Sequence, residues 1–405
     1  MTDQILISIF VLSVAIIGYH YIIYPVLLSF INITRYSLPK YFHRNYIPSL
    51  KDEALPSIHI IIPAYNEERY IRDRILNLAI IDYPEDRFKI TVISDGSEDD
   101  TYRAALNAVS LPECKHLNID IHALEENIGK IAIINQFVPA QNSDIIVLSD
   151  VSAITSINCL LIIAAYFQQD KRVGAICGNY QFVPVQPSGE QAYWNYQRRI
   201  KIQESMLGST IGLHGAFYAF RSELFQTIPH DTINDDVILP LSIIRQGFKC
   251  LYDPRLITIE LEPSSDQMNF QRRVRIAAGN LQQSIRNMDL LSPRHGRLAF
   301  NFFSGKFLRP FIPLLLICSF ISSILLATDY LFFLSVIFIL LALTTSTLYY
   351  LLTDSQPDSK IAKTLFYIVA GHIAMTLGVF SYAFHSPHKR WRKIKSSPRL
   401  EEPRT

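Results

Sequence analysis

Residues 57–67 read SIHIIIPAYNE. An apolar run of strand length ends abruptly in Tyr65-Asn66-Glu67, where a helical pattern begins. Three later stretches have the same shape: FKITVIS at 88–94, NIDIHAL at 118–124 and DIIVLS at 144–149. Segments 67–81, 99–109, 129–137 and 156–169 between and after them read as helices. Strands that alternate with helices build a mostly parallel sheet covered on both faces. Ligands bind such sheets outside the carboxyl ends of the strands. The polar residues just past each strand are therefore the candidates for chemistry.

Outward from this core the composition changes. The 405 residues are 49% hydrophobic and 18% charged, against about 25% charged in an ordinary soluble protein. The excess apolar sequence sits at the two ends. Residues 5–31 are long enough to span a bilayer, which takes roughly 20 apolar residues. A signal peptide fits poorly: Met-Thr-Asp-Gln carries no Lys or Arg, and no small-residue cleavage site follows. Residues 310–352 have room for two spans, and 365–384 for another. The expected division is an N-terminal transmembrane helix (1–33), a basic linker (34–56) and a central α/β domain (57–265). Interfacial amphipathic helices (266–309), three C-terminal spans (310–385) and a basic tail (386–405) would follow.

Arg35, Lys40, Arg44 and Lys51 follow the first span. Basic residues beside a span favour the cytoplasmic side, so the central domain is expected in the cytoplasm of a bacterial cell, at the inner membrane. Three later crossings would put the tail, with Lys389, Arg390, Arg392, Lys393 and Lys395, outside. There the apolar lengths and the charge rule conflict, and the lengths are followed. The net charge of +2 says little about partners, and no nucleic acid is expected among them. The five cysteines form no CxxC pair, so neither a zinc site nor a redox motif is indicated.

Each strand tip has two readings. Glu67 and Asp95 could accept hydrogen bonds from a ribose or a base, as carboxylates do in dinucleotide folds. Alternatively the tips are helix caps, for which Ser97 and Asp99 are suitable types. Two acidic tips in consecutive units favour binding. Gly129 lets the backbone approach an anion and Lys130 adds a charge, although a lysine at a helix start is common. Asp150 follows a buried run and suggests a metal site; as a helix cap it would come several residues early. Asn234-Asp235-Asp236 opens a helix, and two adjacent carboxylates exceed what capping needs.

In order along the chain, PAYNE (63–67), SDGSEDDT (94–101), NIGK (127–130), SDVSA (149–153), GLHGAFYAFR (212–221), NDD (234–236) and RRVRIAAG (272–279) resemble the membrane-bound family 2 glycosyltransferases. That group includes cellulose, hyaluronan and poly-N-acetylglucosamine synthases and has the GT-A nucleotide-sugar fold. The resemblance implies nucleotide contacts at Pro63, Tyr65, Glu67, Asp95 and Lys130. It implies a metal, Mg2+ or Mn2+, at Asp150, a general base at Asp236 with Asp235 beside it, and an acceptor loop at Gly215 and Ala216. Two departures stand out. Ser152 replaces the second aspartate of the family's DxD, and the acceptor motif QxxRW appears with Arg275 kept but Ile276 in place of tryptophan. Arg272, Arg273 and Arg275 could clamp a diphosphate or lie on the lipid surface. Trp194, Tyr193 and Tyr196 could line the acceptor path, or simply pack their helix on the domain.

The expected activity is inverting transfer from a nucleotide-sugar, UDP-linked, to a lipid-linked or polysaccharide acceptor at the cytoplasmic membrane face. Processive polysaccharide synthesis is the alternative within the class. A non-catalytic scaffold that senses nucleotide-sugars is the alternative outside it.

Overall fold

The computed structural model describes residues 2–31, 38–182, 189–262, 266–353, 355, 357 and 359–384. The tail at 386–405 lies outside them. At the centre is an eight-stranded sheet: β1 (Ile58–Ala64), β2 (Phe88–Asp95), β3 (Ile119–Leu124), β4 (Ile145–Ser149), β5 (Ala153–Thr155), β6 (Val173–Phe182), β7 (Phe217–Arg221) and β8 (Lys249–Glu260). Their order is β3-β2-β1-β4-β7-β6-β8-β5.

The four strands foreseen from sequence form the parallel half, with β1 between β2 and β4. Side chains alternate between faces with the period of two that a strand imposes. Ile58, Ile60 and Ile62 enter the core on one face, and Ile61 enters the core on the other. All four are essentially inaccessible, and each burial of this kind contributes roughly 1.5–3 kcal/mol. The second half of the sheet is mixed. Strand β7 runs antiparallel to β4 and β6, while β6 and β8 are parallel with a register shift at Gly178. A β-carbon on Gly178 would lie 1.8 Å from the Leu256 carbonyl oxygen, so the crossing closes only over glycine.

Four helical stretches are long and apolar enough to cross a membrane: Thr2–Ile31, Arg297–Leu326, Leu331–Thr353 and Ile361–Phe384. Large side chains on them face outward; Leu12 is 62% exposed and Leu352 83%. They touch one another through the Phe10–Phe333 edge-to-face pair and a Tyr21–His372 hydrogen bond of 3.0 Å. The second stretch starts at Arg297, inside the segment read as interfacial.

The Arg-rich helix Asp266–Arg286 is packed against protein on two sides. A β-carbon on Gly279 would collide with the Asn234 side chain, and one on Gly378 of the last helix would meet the Val274 carbonyl oxygen at 2.3 Å. The helix is therefore held between the central α/β domain and the last apolar helix.

Candidate active site

The first two strand tips lock together. Asn66 takes a left-handed φ of 55°, and its side-chain oxygen accepts the Glu98 amide at 2.8 Å. The Asn66 amide donates to Ser97 Oγ and the Glu67 amide to Thr101 Oγ1. Asp99 accepts the amides of Glu68 and Thr101, so here the capping account holds. Asp95 is different. It is buried, and its two carboxylate oxygens accept the amides of Ile128 and Gly129 at 2.8 and 2.9 Å. The third loop is thereby drawn onto the second strand. Gly96, with φ of 60°, leaves the space this needs, since a β-carbon there would lie 2.4 Å from the Asn127 nitrogen.

That loop delivers Lys130 into a group of carboxylates. Its ammonium donates to Asp150 Oδ1 at 2.9 Å, lies 3.7 Å from Asp235 Oδ2 and reaches the Gly215 carbonyl at 3.4 Å. Burial pulls Lys130 down, but Asp150 and Asp235 more than offset it and hold the ammonium above its ordinary pKa. Asp235 also accepts the Tyr218 hydroxyl at 2.8 Å. Its neighbour Asp236 sits beside Gly215, where a β-carbon would make only ordinary contact at 3.6 Å. Burial and then the charge of Asp235 push Asp236 up to about 6, against the pull of Lys306, Lys201 and Lys130. A carboxylate tuned to this range can accept a proton near neutral pH.

Ala216 ties the acceptor-loop word to the strand tips, its carbonyl accepting the Asp150 amide at 2.9 Å. Ser152 is buried, with its carbonyl on the Leu261 amide. Pro63 pairs in register with Ile93 at the end of β1, and Tyr65 follows on the same tip.

The three arginines separate by helical phase. Arg272 and Arg275, three residues apart and so on one face, turn toward the carboxylates. Arg272 hydrogen-bonds Tyr180 and feels Glu260 and Asp150. Arg275 is lowered by burial and by Arg272, and is drawn by Asp150, Asp235 and Asp236. Arg273 points the other way, its guanidinium 3.5 Å over the ring of Tyr367 on the last apolar helix. Ile276 lies behind Asn234, whose side-chain amide donates to its carbonyl at 3.3 Å.

Residues 56–279 match the family model described as "Glycosyltransferase like family 2". The chain belongs to that family. Its relatives include the probable glycosyltransferase YdaM of Bacillus subtilis, 23% identical over 59% of this chain and 59% of that protein. Another is the beta-monoglucosyldiacylglycerol synthase of Trichormus variabilis, 26% identical over 50% of this chain and 44% of that protein. The chain thus spans less than two thirds of these relatives' length. A mannosyltransferase from Pyrobaculum calidifontis, solved with GDP-Man and Mn2+, superposes with a TM-score of 0.70 at 17% identity, covering 93% of this chain and 99% of that one. The fold is GT-A, and the protein is a member of glycosyltransferase family 2.

The resemblance implies a divalent cation at Asp150. Among the described residues no three His, Cys, Asp or Glu side chains come close enough to cage a metal. Asp150 is one-third exposed and already takes the Lys130 ammonium, so it has a cation's partner character. Mg2+ commonly needs only one or two protein carboxylates when phosphates and water complete its shell. The donor set fits an ion shared with a diphosphate.

Other residues around these carboxylates were not evident from sequence. Arg74 is fully buried, donating to Ser149 Oγ at 2.9 Å and to Asn77, and so braces the strand that carries Asp150. Lys201 donates to the Gly212 carbonyl at 2.6 Å. The Lys306 ammonium lies on the other side of that glycine, 3.4 Å from where its β-carbon would be. Lys201, Glu204, Lys306 and Arg309 line a cavity of about 20 Å³ beneath the loop. Nothing in the spacing of Arg74, Lys201 and Lys306 signals the site, although their partners Ser149 and Gly212 lie within words already singled out.

Proposed function

We propose that this family 2 enzyme transfers a sugar from a UDP-linked donor, with inversion, to a lipid-linked or glycan acceptor at the cytoplasmic face of the bacterial inner membrane. The observation that carries the reading is Asp236: a carboxylate raised to about 6 beside the unobstructed Gly215. Ionised Asp236 takes the proton of the attacking acceptor hydroxyl, and the new bond forms on the face opposite the leaving nucleotide. Asp235, fixed by Tyr218 and Lys130, keeps the base raised and oriented. Pro63, Tyr65, Glu67 and Asp95 frame the nucleoside. Lys130, Arg272 and Arg275 hold the charge that develops on the diphosphate. Asp150, with Ser152 beside it, would hold Mg2+ or Mn2+, which when bound neutralises the leaving diphosphate. Gly215, Ala216 and Ile276 border the acceptor.

The four apolar helices and the two basic flanks support the membrane setting. The diacylglycerol-type product named for one relative supports a lipid acceptor. Ile276 in place of a stacking tryptophan favours limited transfer over processive polymer synthesis. The deciding experiment incubates membranes with a panel of nucleotide-sugars, with and without Mg2+ or Mn2+, and weighs the products. The wild type is expected to consume one donor, and Asp236→Asn to lose about 10²–10⁴-fold in turnover. If both proteins bind nucleotide equally and neither turns over any donor, the sensing scaffold is the correct account.

A further inference from the structure

We propose that Trp194 is the aromatic platform on which a sugar ring of the acceptor stacks, taking over in space the task that Ile276 cannot perform. This rests on the transferase reading above and adds the class of acceptor: a glycosylated one, not a sugar-free lipid.

The helix Gly189–Leu207 divides its aromatic residues between two sides. Tyr193 accepts a hydrogen bond from Arg309 and leans on Tyr367, with centroids 5.8 Å apart. The Tyr196 hydroxyl donates to the Tyr21 carbonyl at 3.1 Å. Both therefore anchor the helix to the apolar stretches. Trp194 turns the other way, toward the catalytic domain. Its ring lies 5.2 Å from Tyr180, 5.3 Å from His214 and 6.2 Å from Phe182. It packs against the small cluster of Ala153, Tyr180 and Ala216.

Ala216 is the residue whose carbonyl holds Asp150, and its neighbour Gly215 borders Asp236. Trp194 is thus one residue removed from Asp150 and two from Asp236. Tyr180 and His214 are buried, and burial with Lys201 and Lys306 nearby keeps His214 neutral. They form an uncharged backing, while Trp194 keeps part of its surface open. An aromatic ring held by its neighbours and still partly exposed suits the apolar face of a pyranose, because it loses little freedom on binding. Ile276 offers no such face, and Trp194 is the one tryptophan among the described residues.

The test uses the full chain carrying Trp391→Phe, which leaves Trp194 as its sole tryptophan. Cellobiose, maltose and N,N′-diacetylchitobiose are titrated in detergent while indole emission is followed, with dioleoylglycerol as the sugar-free arm. A saturable change with at least one disaccharide, and none with dioleoylglycerol, is expected. In transfer assays with that disaccharide, Trp194→Leu should raise the acceptor KM about tenfold with a much smaller effect on kcat, and Trp194→Phe should recover most of the loss. Emission that responds only to dioleoylglycerol, or to nothing, overturns the proposal. So does a Trp194→Phe protein as impaired as Trp194→Leu, or a loss confined to kcat. Donor cleavage by the Trp391→Phe protein is measured alongside; its absence would count against the transferase reading, and its presence with a silent indole against the platform alone.

Discussion

Asp236 should set the acid limb of the enzyme's pH profile. The proton-accepting form is the ionised one. With the group near 6, about nine-tenths of it is available at pH 7, about half at pH 6 and about one-tenth at pH 5. Activity should follow that curve, measured as initial rates of nucleotide release at saturating donor. The perturbation that tests the cause is Asp235→Asn. Burial comes first among the reasons for the raised value and the Asp235 charge second. Removing that charge should move the midpoint below 6 without returning it to the ordinary range near 3.9. The plateau rate is expected to change too, because Asp235 carries the Tyr218 and Lys130 contacts, so the midpoint alone is read. Unfolding does not explain the acid limb through this group. A carboxyl raised in the folded state takes up its proton more readily there than in the unfolded chain, so protonation between about 6 and 4 favours the fold. A thermal-unfolding series over the same pH range separates the two effects. The reasoning is refuted by a wild-type midpoint below 5, or by an Asp235→Asn midpoint at or above that of the wild type.

Lys130→Gln removes a cation in contact with both Asp150 and Asp235. Because these groups are partly exposed, a loss of about 1–3 kcal/mol is expected, read as a lower Tm in EDTA, together with an acid limb displaced to higher pH. Gly178→Ala forces a β-carbon into the Leu256 carbonyl. It should cost about 3 kcal/mol or more and appear as poor recovery of folded protein from detergent extracts. Arg272→Ala and Arg273→Ala should behave differently although they are adjacent. The first is expected to raise the donor KM or lower kcat by about tenfold or more, and the second to leave donor kinetics near wild type while lowering Tm.

The parallel half of the sheet was legible because each strand is a short run of β-branched residues with polar punctuation, as in SIHIIIPAYNE and FKITVISD. Strands β6 and β8 escaped notice for physical reasons. Gly174 and Gly178 interrupt one, Pro254 sits inside the other, and both carry polar side chains that the domain buries. Strand β5 has three residues, the first of which closes the word read as a metal site. The carboxylates of the candidate site were legible as strand-tip residues. Among the cations around them, Lys130, Arg272 and Arg275 were singled out but Lys201 and Lys306 were not, since these two arrive from helices more than a hundred residues apart. The division of the Arg272–Arg275 stretch was within reach, because helical phase alone separates Arg273 from the other two.

The cavity beneath Gly212 bears on how the molecule can be handled. Lys306 lies in an apolar stretch, yet it is one of the charges acting on Asp236. The membrane portion is in that sense a strut under the reacting group and not merely a tether. A fragment of residues 38–296, without the apolar stretches, would lack Lys306 and with it one of the charges that hold the base down. By the same coupling, a bilayer thick or thin enough to tilt that helix would act on the rate through the height of a single ammonium group.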